Sequence, residues 1–210
     1  LPYLAVEQTF VRVYDVSDPA APRLVRTAGM SGYQVTSRMI GPTIYLITEH
    51  SIWSSFDNEL RLPELTSGGT RETVKATEIS YDPAMSEVSS FVNLLAFNTS
   101  SGKTGTLTAL VGSTSVAYMS PTALYLTMQL WDGATTRASS KLTTSIYRIS
   151  VEGTEMSLEA QGSVRGRPLN QFALDEKDGR LRIATTAGWW SDASNEVHVL
   201  DLKLKEVGAA

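Results

Sequence analysis

The chain has no cysteine among its 210 residues. That excludes disulfides, thiolate zinc sites and cysteine nucleophiles. It leaves the compartment open, because many exported proteins also do without cysteine. Histidine is nearly absent too. His50 and His198 are the two present, and neither has a partner at the i+2 or i+4 spacing of metal-site motifs. No G-x-S-x-G stretch occurs. Basic charge is scarce: the net charge is -4, with 19 % charged residues and no basic stripe, so no nucleic-acid partner is expected. Long apolar runs are missing as well. "VNLLAF", Val92 to Phe97, is far short of the ~20 residues that span a bilayer, so no membrane insertion is expected. There is no signal-peptide pattern. The start at Leu1 and the end at "VGAA" are the marks expected of a piece cut from a longer protein. No cofactor and no metal site are expected.

What the chain has instead is short β-rich runs between Gly, Pro, Ser and Asp clusters, an all-β signature. "TIYLIT" (43–48), "ALYLTM" (123–128) and "RLRIAT" (180–185) look alike, and each follows a tight turn. Each turn follows another short strand: "VTSRMI", "SVAYMS" and "NQFALD". A third strand type recurs as "FVRVYDV" (10–16), "FVNLLAF" (91–97), "TSIYRIS" (144–150) and "EVHVLDL" (196–202). These align on Tyr14, Leu95, Tyr147 and Leu200. Tyr147 follows Leu95 by 52 residues and Leu200 follows Tyr147 by 53; the longer first interval marks an insertion near 49–88. A fourth strand follows each: "RLVRTAG", "GTLTALVG", "EMSLEAQGSV" and "KEVGAA". Four strands at a period near 50 are the mark of a propeller blade. "TIYLIT" is apolar on both faces, which suits a sheet covered on both sides better than a sandwich strand with one wet face.

"YDVSDPAAPRLVRT", "GYQVTSRMIGPTIYLIT", "SIYRIS", "GSVRGRPLNQFALDEKDGRLRIATT" and "NEVHVLDLKLKEVG" resemble a family of secreted bacterial and archaeal β-propeller proteins, distantly related to WD-repeat propellers. The resemblance covers most of the chain except 49–88 and 131–143. It implies an extracytoplasmic location and supplies no catalytic residues. It also implies further blades on both sides of this segment.

The expected architecture is therefore all-β, a β-propeller segment of four-stranded antiparallel blades forming a partial ring of about three and a half blades. The blades are expected near 1–30 (partial), 33–112, 114–164 and 169–208, with 49–88 as a long loop insert. The end blades are expected to expose apolar faces carried by Val11, Val13, Val197 and Val199, to be covered by flanking blades or a second copy.

The carboxylate-rich stretch Asp175-Glu176-Lys177-Asp178-Gly179 reads as a hairpin tip, because Asp-Gly favours a tight turn and a calcium loop needs ligands at other spacings. "SSGKTG" (100–105 within the run Ser100 to Gly105) resembles the tail of a phosphate loop, but Phe97 stands where its first glycine belongs, so it too reads as a turn. "YDPAMSEV" (81–88) contains an Asp82-Pro83 pair that suits the start of one short helix.

The four tryptophans, Trp53, Trp131, Trp189 and Trp190, all fall between second and third strands. Those loops share a rim with the interblade connectors that hold Arg165 and Arg167. Wide rings beside arginine suit a peptide or carbohydrate ligand; rings folded back as caps on their own blades are the other reading. The leading functional reading is a non-catalytic binding or protein-interaction scaffold. A hydrolase using loop-face carboxylates such as Glu49, Asp57, Asp132 and Asp192 is the alternative. A purely structural segment of a larger propeller is the third.

Overall fold

The runs read as strands carry β-branched and aromatic side chains, and the backbone is extended through most of their length. The computed structural model describes residues 7–52, 60–81, 89–110, 112, 114–131, 142–188 and 193–210. Their strands form four sheets. The first is ordered β1 (Gln8–Asp15), β2 (Arg23–Ser31), β5 (Glu64–Ser67), β6 (Thr70–Thr73). The second is β3 (Tyr33–Ile40), β4 (Thr43–Ser51), β8 (Ser90–Asn98), β9 (Thr104–Leu110) and β7 (Ile79–Tyr81). The third is β10 (Val116–Met119), β11 (Ala123–Trp131), β12 (Leu142–Glu152), β13 (Glu155–Arg165), and the fourth is β14 (Leu174–Lys177), β15 (Arg180–Ala187), β16 (Ser194–Leu200), β17 (Glu206–Ala209). The third-type strands expected at 10–16, 91–97, 144–150 and 196–202 are β1, β8, β12 and β16.

Two expectations need correction. Residues 49–88 are not a loop insert alone, since β5, β6 and β7 lie within them. β5 adds to the free edge of β2, in the register Ala28↔Ser67 and Met30↔Leu65, so the N-terminal half-blade becomes a four-stranded sheet. β7 adds in parallel to β9, Ile79 opposite Thr108. An edge strand offers unpaired N–H and C=O groups, and the insert uses those of both β2 and β9. The second correction concerns Val11 and Val13. They are half-buried and pack on the core, because they lie on the same face as their cross-strand partners Ala28 and Arg26. The exposed side chains of β1 are Phe10, Arg12 and Tyr14. "NQFALD" is also less regular than expected: residues 171–173 form a 3-10 turn and the strand starts at Leu174.

The chain forms two compact units, Leu1–Ser113 with Glu152–Met156, and Thr114–Val151 with Ser157–Ala210. The first unit's core joins Ala28 and Met30 of β2 to Leu46, Leu95 and Phe97 of the second sheet, with Val74 of the insert. The second unit's core joins Ala123, Tyr125 and Ile146 of the third sheet to Leu174, Leu181, Ile183 and Leu200 of the fourth. In β4, Tyr45, Leu46 and Ile47 are all buried, so both of its faces are covered, as the "TIYLIT" pattern implies.

One polar device occurs in both units. The Thr48 hydroxyl of β4 donates to the carbonyl of Ser31, at the end of β2, at 2.6 Å. The Thr185 hydroxyl of β15 donates to the carbonyl of Arg165, at the end of β13, at 2.7 Å. The two threonines occupy the same place in the repeat, and each ties the second strand of one sheet to the last residue of a strand in the sheet before it. A buried carbonyl that loses its donor is costly, so Thr185→Val is expected to lower unfolding free energy by about 1–3 kcal/mol. Urea titration should show a lower midpoint with an unchanged slope.

Candidate binding surface

The Asp175–Gly179 stretch is a hairpin tip. Lys177 pairs with Arg180, and the two residues between them, Asp178 and Gly179, have φ of 51° and 69°. Both positive values are what a tight two-residue hairpin demands, and glycine meets that demand without strain. Asp175 and Glu176 have protein partners. Asp175 receives a two-pronged bond from Arg182, with Nε to Oδ1 at 2.6 Å and Nη2 to Oδ2. That hydrogen bonding holds its carboxyl below the usual range. Glu176 reaches across to the third sheet, where its Oε2 accepts from Tyr125 and Ser120, each at 2.8 Å. Its backbone N–H donates to the Tyr118 hydroxyl at 3.0 Å. Burial, then the bond to Glu176, pushes the Tyr125 phenol up, so it stays a neutral donor. The tip is thus a sheet-to-sheet clasp inside the second unit. Its partners are 51 and 56 residues away in sequence, beyond the reach of any local motif.

The "SSGKTG" stretch is the β8–β9 turn. Asn98 Oδ1 accepts from the backbone N–H groups of Ser100 and Ser101, and Gly102 closes the turn at φ 82°.

Of the residues expected on the binding face, Trp53, Trp189 and Trp190 lie outside the described residues, and of Trp131 the backbone alone is described, pairing with Leu142 at the end of β11. Arg165 and Arg167 are placed. The Arg165 guanidinium pairs with Glu196 of β16. Arg167 bridges Thr186 of β15 through two backbone hydrogen bonds of 3.0 and 2.9 Å. Both therefore lie beside the fourth sheet. Among the carboxylates of the hydrolase reading, Asp57, Asp132 and Asp192 lie outside the described residues. Glu49 is buried, with its carboxylate hydrogen-bonded to Tyr33. The helix expected to start at Asp82-Pro83 also falls outside the described residues.

A feature absent from the sequence reading adjoins the two arginines. Leu169, Asn170, Phe172 and Ala173 lead from Arg167 into β14, and with Ala184 and Val197 they line a groove of about 410 Å³. Asn170 builds it: its side chain accepts from the Phe172 N–H at 2.9 Å, and its carbonyl accepts from the Ala173 N–H at 3.0 Å. That cap fixes the 3-10 turn, and Phe172 faces outward. An Asn two residues before an aromatic, after Pro168, was the available signal.

The first unit holds a buried polar network. Asn93 Nδ2 donates to the Ser31 carbonyl at 3.1 Å and approaches His50 Nδ1 at 3.3 Å, while its Oδ1 accepts from Thr108 at 3.2 Å. An amide nitrogen only donates, so His50 Nδ1 accepts and Nε2 carries the proton, facing the Arg61 carbonyl at 3.4 Å. Burial lowers the His50 pKa. A group depressed in this way contributes stability above its unfolded value, about 6.5, that is lost as pH falls through the folded value. Unfolding free energy is therefore expected to fall on acidification from about pH 7.5 to about pH 5, and His50→Gln should flatten that slope. An unchanged slope in the variant would show that other groups set it.

The sequence profile of the family described as "Beta propeller domain" matches residues 2–210, and the chain belongs to that family. It is 53 % identical over 55 residues to an uncharacterized protein of Archaeoglobus fulgidus, a match covering 25 % of this chain and 8 % of that protein. It is 40 % identical over 68 residues to an uncharacterized protein of Methanocaldococcus jannaschii, covering 31 % and 10 % respectively. The matched stretches are thus a small part of much longer relatives.

Proposed function

We propose that this chain is a non-catalytic interaction scaffold that receives another polypeptide sheet on the groove face of β14–β17, and that it works outside the cytoplasm. The observation that carries the reading is that Leu169 and Phe172 are each 86 % exposed over one groove. Clustered large apolar side chains of that kind mark an interaction surface. The occupant is a further sheet of the same construction, from flanking sequence or from a second copy. Two observations support it. The opposite face of this sheet is covered in that way inside the second unit, where Leu181, Ile183 and Leu200 meet Ala123, Tyr125 and Ile146. On the groove face, Ala184 sits opposite Val197, and Arg182 opposite Val199, so the same strands present a second, partly apolar surface. The extracytoplasmic part rests on the family resemblance of the sequence; recovery of the full-length protein in the cytoplasmic fraction of its cell would remove it.

Sedimentation velocity and binding of an apolar dye test the scaffold reading on the 210-residue chain. The expected result is dye binding or concentration-dependent association, both reduced in a Leu169→Lys, Phe172→Lys double variant whose melting point is unchanged. Loss of dye binding in a polypeptide extended by its flanking sequence would identify cover in cis. A monomer that binds no dye, like the double variant, would sink the proposal.

A further inference from the structure

The first unit has a cleft of about 450 Å³ between its two sheets, lined by Leu24, Val25, Arg26, Thr27, the Ser67–Gly69 turn, Phe97 and Gly102. Arg26 lies on the inner face of the first sheet, opposite Val13 and in line with Ala28 and Met30. That face is otherwise a core stripe, and a hydrocarbon is expected at the position. The guanidinium stem passes over Gly102, so close that a Cβ added there would lie 3.2 Å from Nε.

The other cations of the unit have partners. Arg23 pairs with Asp15, Arg71 with Glu64, Lys75 with Glu78 and Lys103 with Glu155. Arg12 lies over the Phe10 ring, and Arg38 donates to Thr36. Arg61 is also engaged. Among the described residues, Arg26 alone of this unit's lysines and arginines meets no acceptor, no anion and no ring. A half-buried guanidinium is a planar fork of donors suited to a carboxylate.

We propose that this cleft binds an amphipathic carboxylate, its carboxylate on Arg26 and its apolar body against Leu24, Val25 and Phe97. The volume is within the range of small-ligand sites, and the mix of apolar wall with one fixed charge is their usual chemistry. Thr27 and Ser67 are its polar uncharged lining residues. The Ser67–Gly69 wall belongs to the β5–β6 hairpin, so the sequence's one large departure from its repeat is what encloses the site. This site is separate from the groove on β14–β17 and does not rest on it.

The source of the carboxylate is either a free acid or the C-terminus of a peptide. The test is a ¹H–¹⁵N NMR titration of the 210-residue chain with 3-phenylpropionate, its uncharged amide, and N-acetyl-Gly-Phe. Saturable shifts are expected at the Gly68, Gly69 and Gly102 amides with both acids. The amide should bind about tenfold or more weakly, as should 3-phenylpropionate to the Arg26→Gln variant, since a charged hydrogen-bonded pair is lost in each case. Tighter binding of N-acetyl-Gly-Phe would point to a peptide terminus, and tighter binding of 3-phenylpropionate to a free acid; either order supports the site. Equal binding of acid and amide, no saturable shift, shifts confined to other regions, or undiminished binding by Arg26→Gln would overturn it. If Arg26→Gln fails to fold, the acid-against-amide comparison on the native chain still decides.

Discussion

A hydroxyl of one sheet donating to a carbonyl at the end of the sheet before it is the contact on which the arrangement within each unit depends. Thr48 to Ser31 and Thr185 to Arg165 are single hydrogen bonds of 2.6 and 2.7 Å. Each sits where a strand ends and the chain leaves for the next sheet. A carbonyl left without a donor there would cost more than the bond itself is worth, so the bond favours one placement of the second strand against the preceding sheet, and at Ser31 Asn93 adds a second donor. Apolar contacts between sheets are non-directional and tolerate sliding. The hydroxyl–carbonyl contact does not. At the equivalent position of the third sheet the sequence has Met128, which cannot donate, so the device is not universal in the repeat.

The second sheet-to-sheet bond of this kind, the Glu176 clasp, adds charge to the same logic. A carboxylate accepting from Tyr125 and Ser120 within the second unit is held by two neutral hydroxyl donors. In this way a turn that looks like surface chemistry becomes part of the packing. The insert acts on the other side of the balance. It adds short strands to the edges of β2 and β9, and by doing so turns an open sheet edge into the wall of a cleft.

Much of the fold was legible because its strands announce themselves. β4, β8, β11 and β12 are long and apolar, and the third-type strands β8, β12 and β16 recur at intervals of 52 and 53 residues. The insert strands do not. β5 is "ELTS", β6 is "TRET" with every residue exposed, and β7 is three residues long. Backbone pairing to an existing edge holds them, and that leaves no alternation of side chains to read. The faces of β1 were misassigned for a related reason. Val11 and Val13 alternate with Phe10, Arg12 and Tyr14, and both sets are plausible core. Register against β2 decides, since Phe10 stands opposite Gly29, where its ring covers the missing side chain, while Val11 stands opposite Ala28 in the core row. Of the candidate surface, the neighbourhood of Arg165 and Arg167 was found by their place on a connector. Phe172 was absorbed into a strand that starts later than the pattern suggested, and Leu169 stands just before that run.

Polar residues inside apolar rows offer a way to separate structural from functional positions in this chain. Asn93 lies within "FVNLLAF", and its amide donates to Ser31 while its carbonyl accepts from Thr108. His198 occupies the matching place in "EVHVLDL", and its ring nitrogens meet Thr185 at 3.3 Å and Glu206 at 3.2 Å. Thr48 and Thr185 are engaged in the same way. Each of these costs desolvation and recovers it from a neighbouring strand, so packing alone explains it. Arg26 stands in a comparable row and recovers nothing from the described residues around it. Its neighbours are a glycine that leaves room, two glycines at a turn, and apolar side chains. Such a position is stable because it opens to water on one side, and its walls come from β2, the end of β8 and the turns β5–β6 and β8–β9. An unanswered charge beside apolar side chains is what distinguishes the proposed ligand position from a polar residue that the fold has already satisfied.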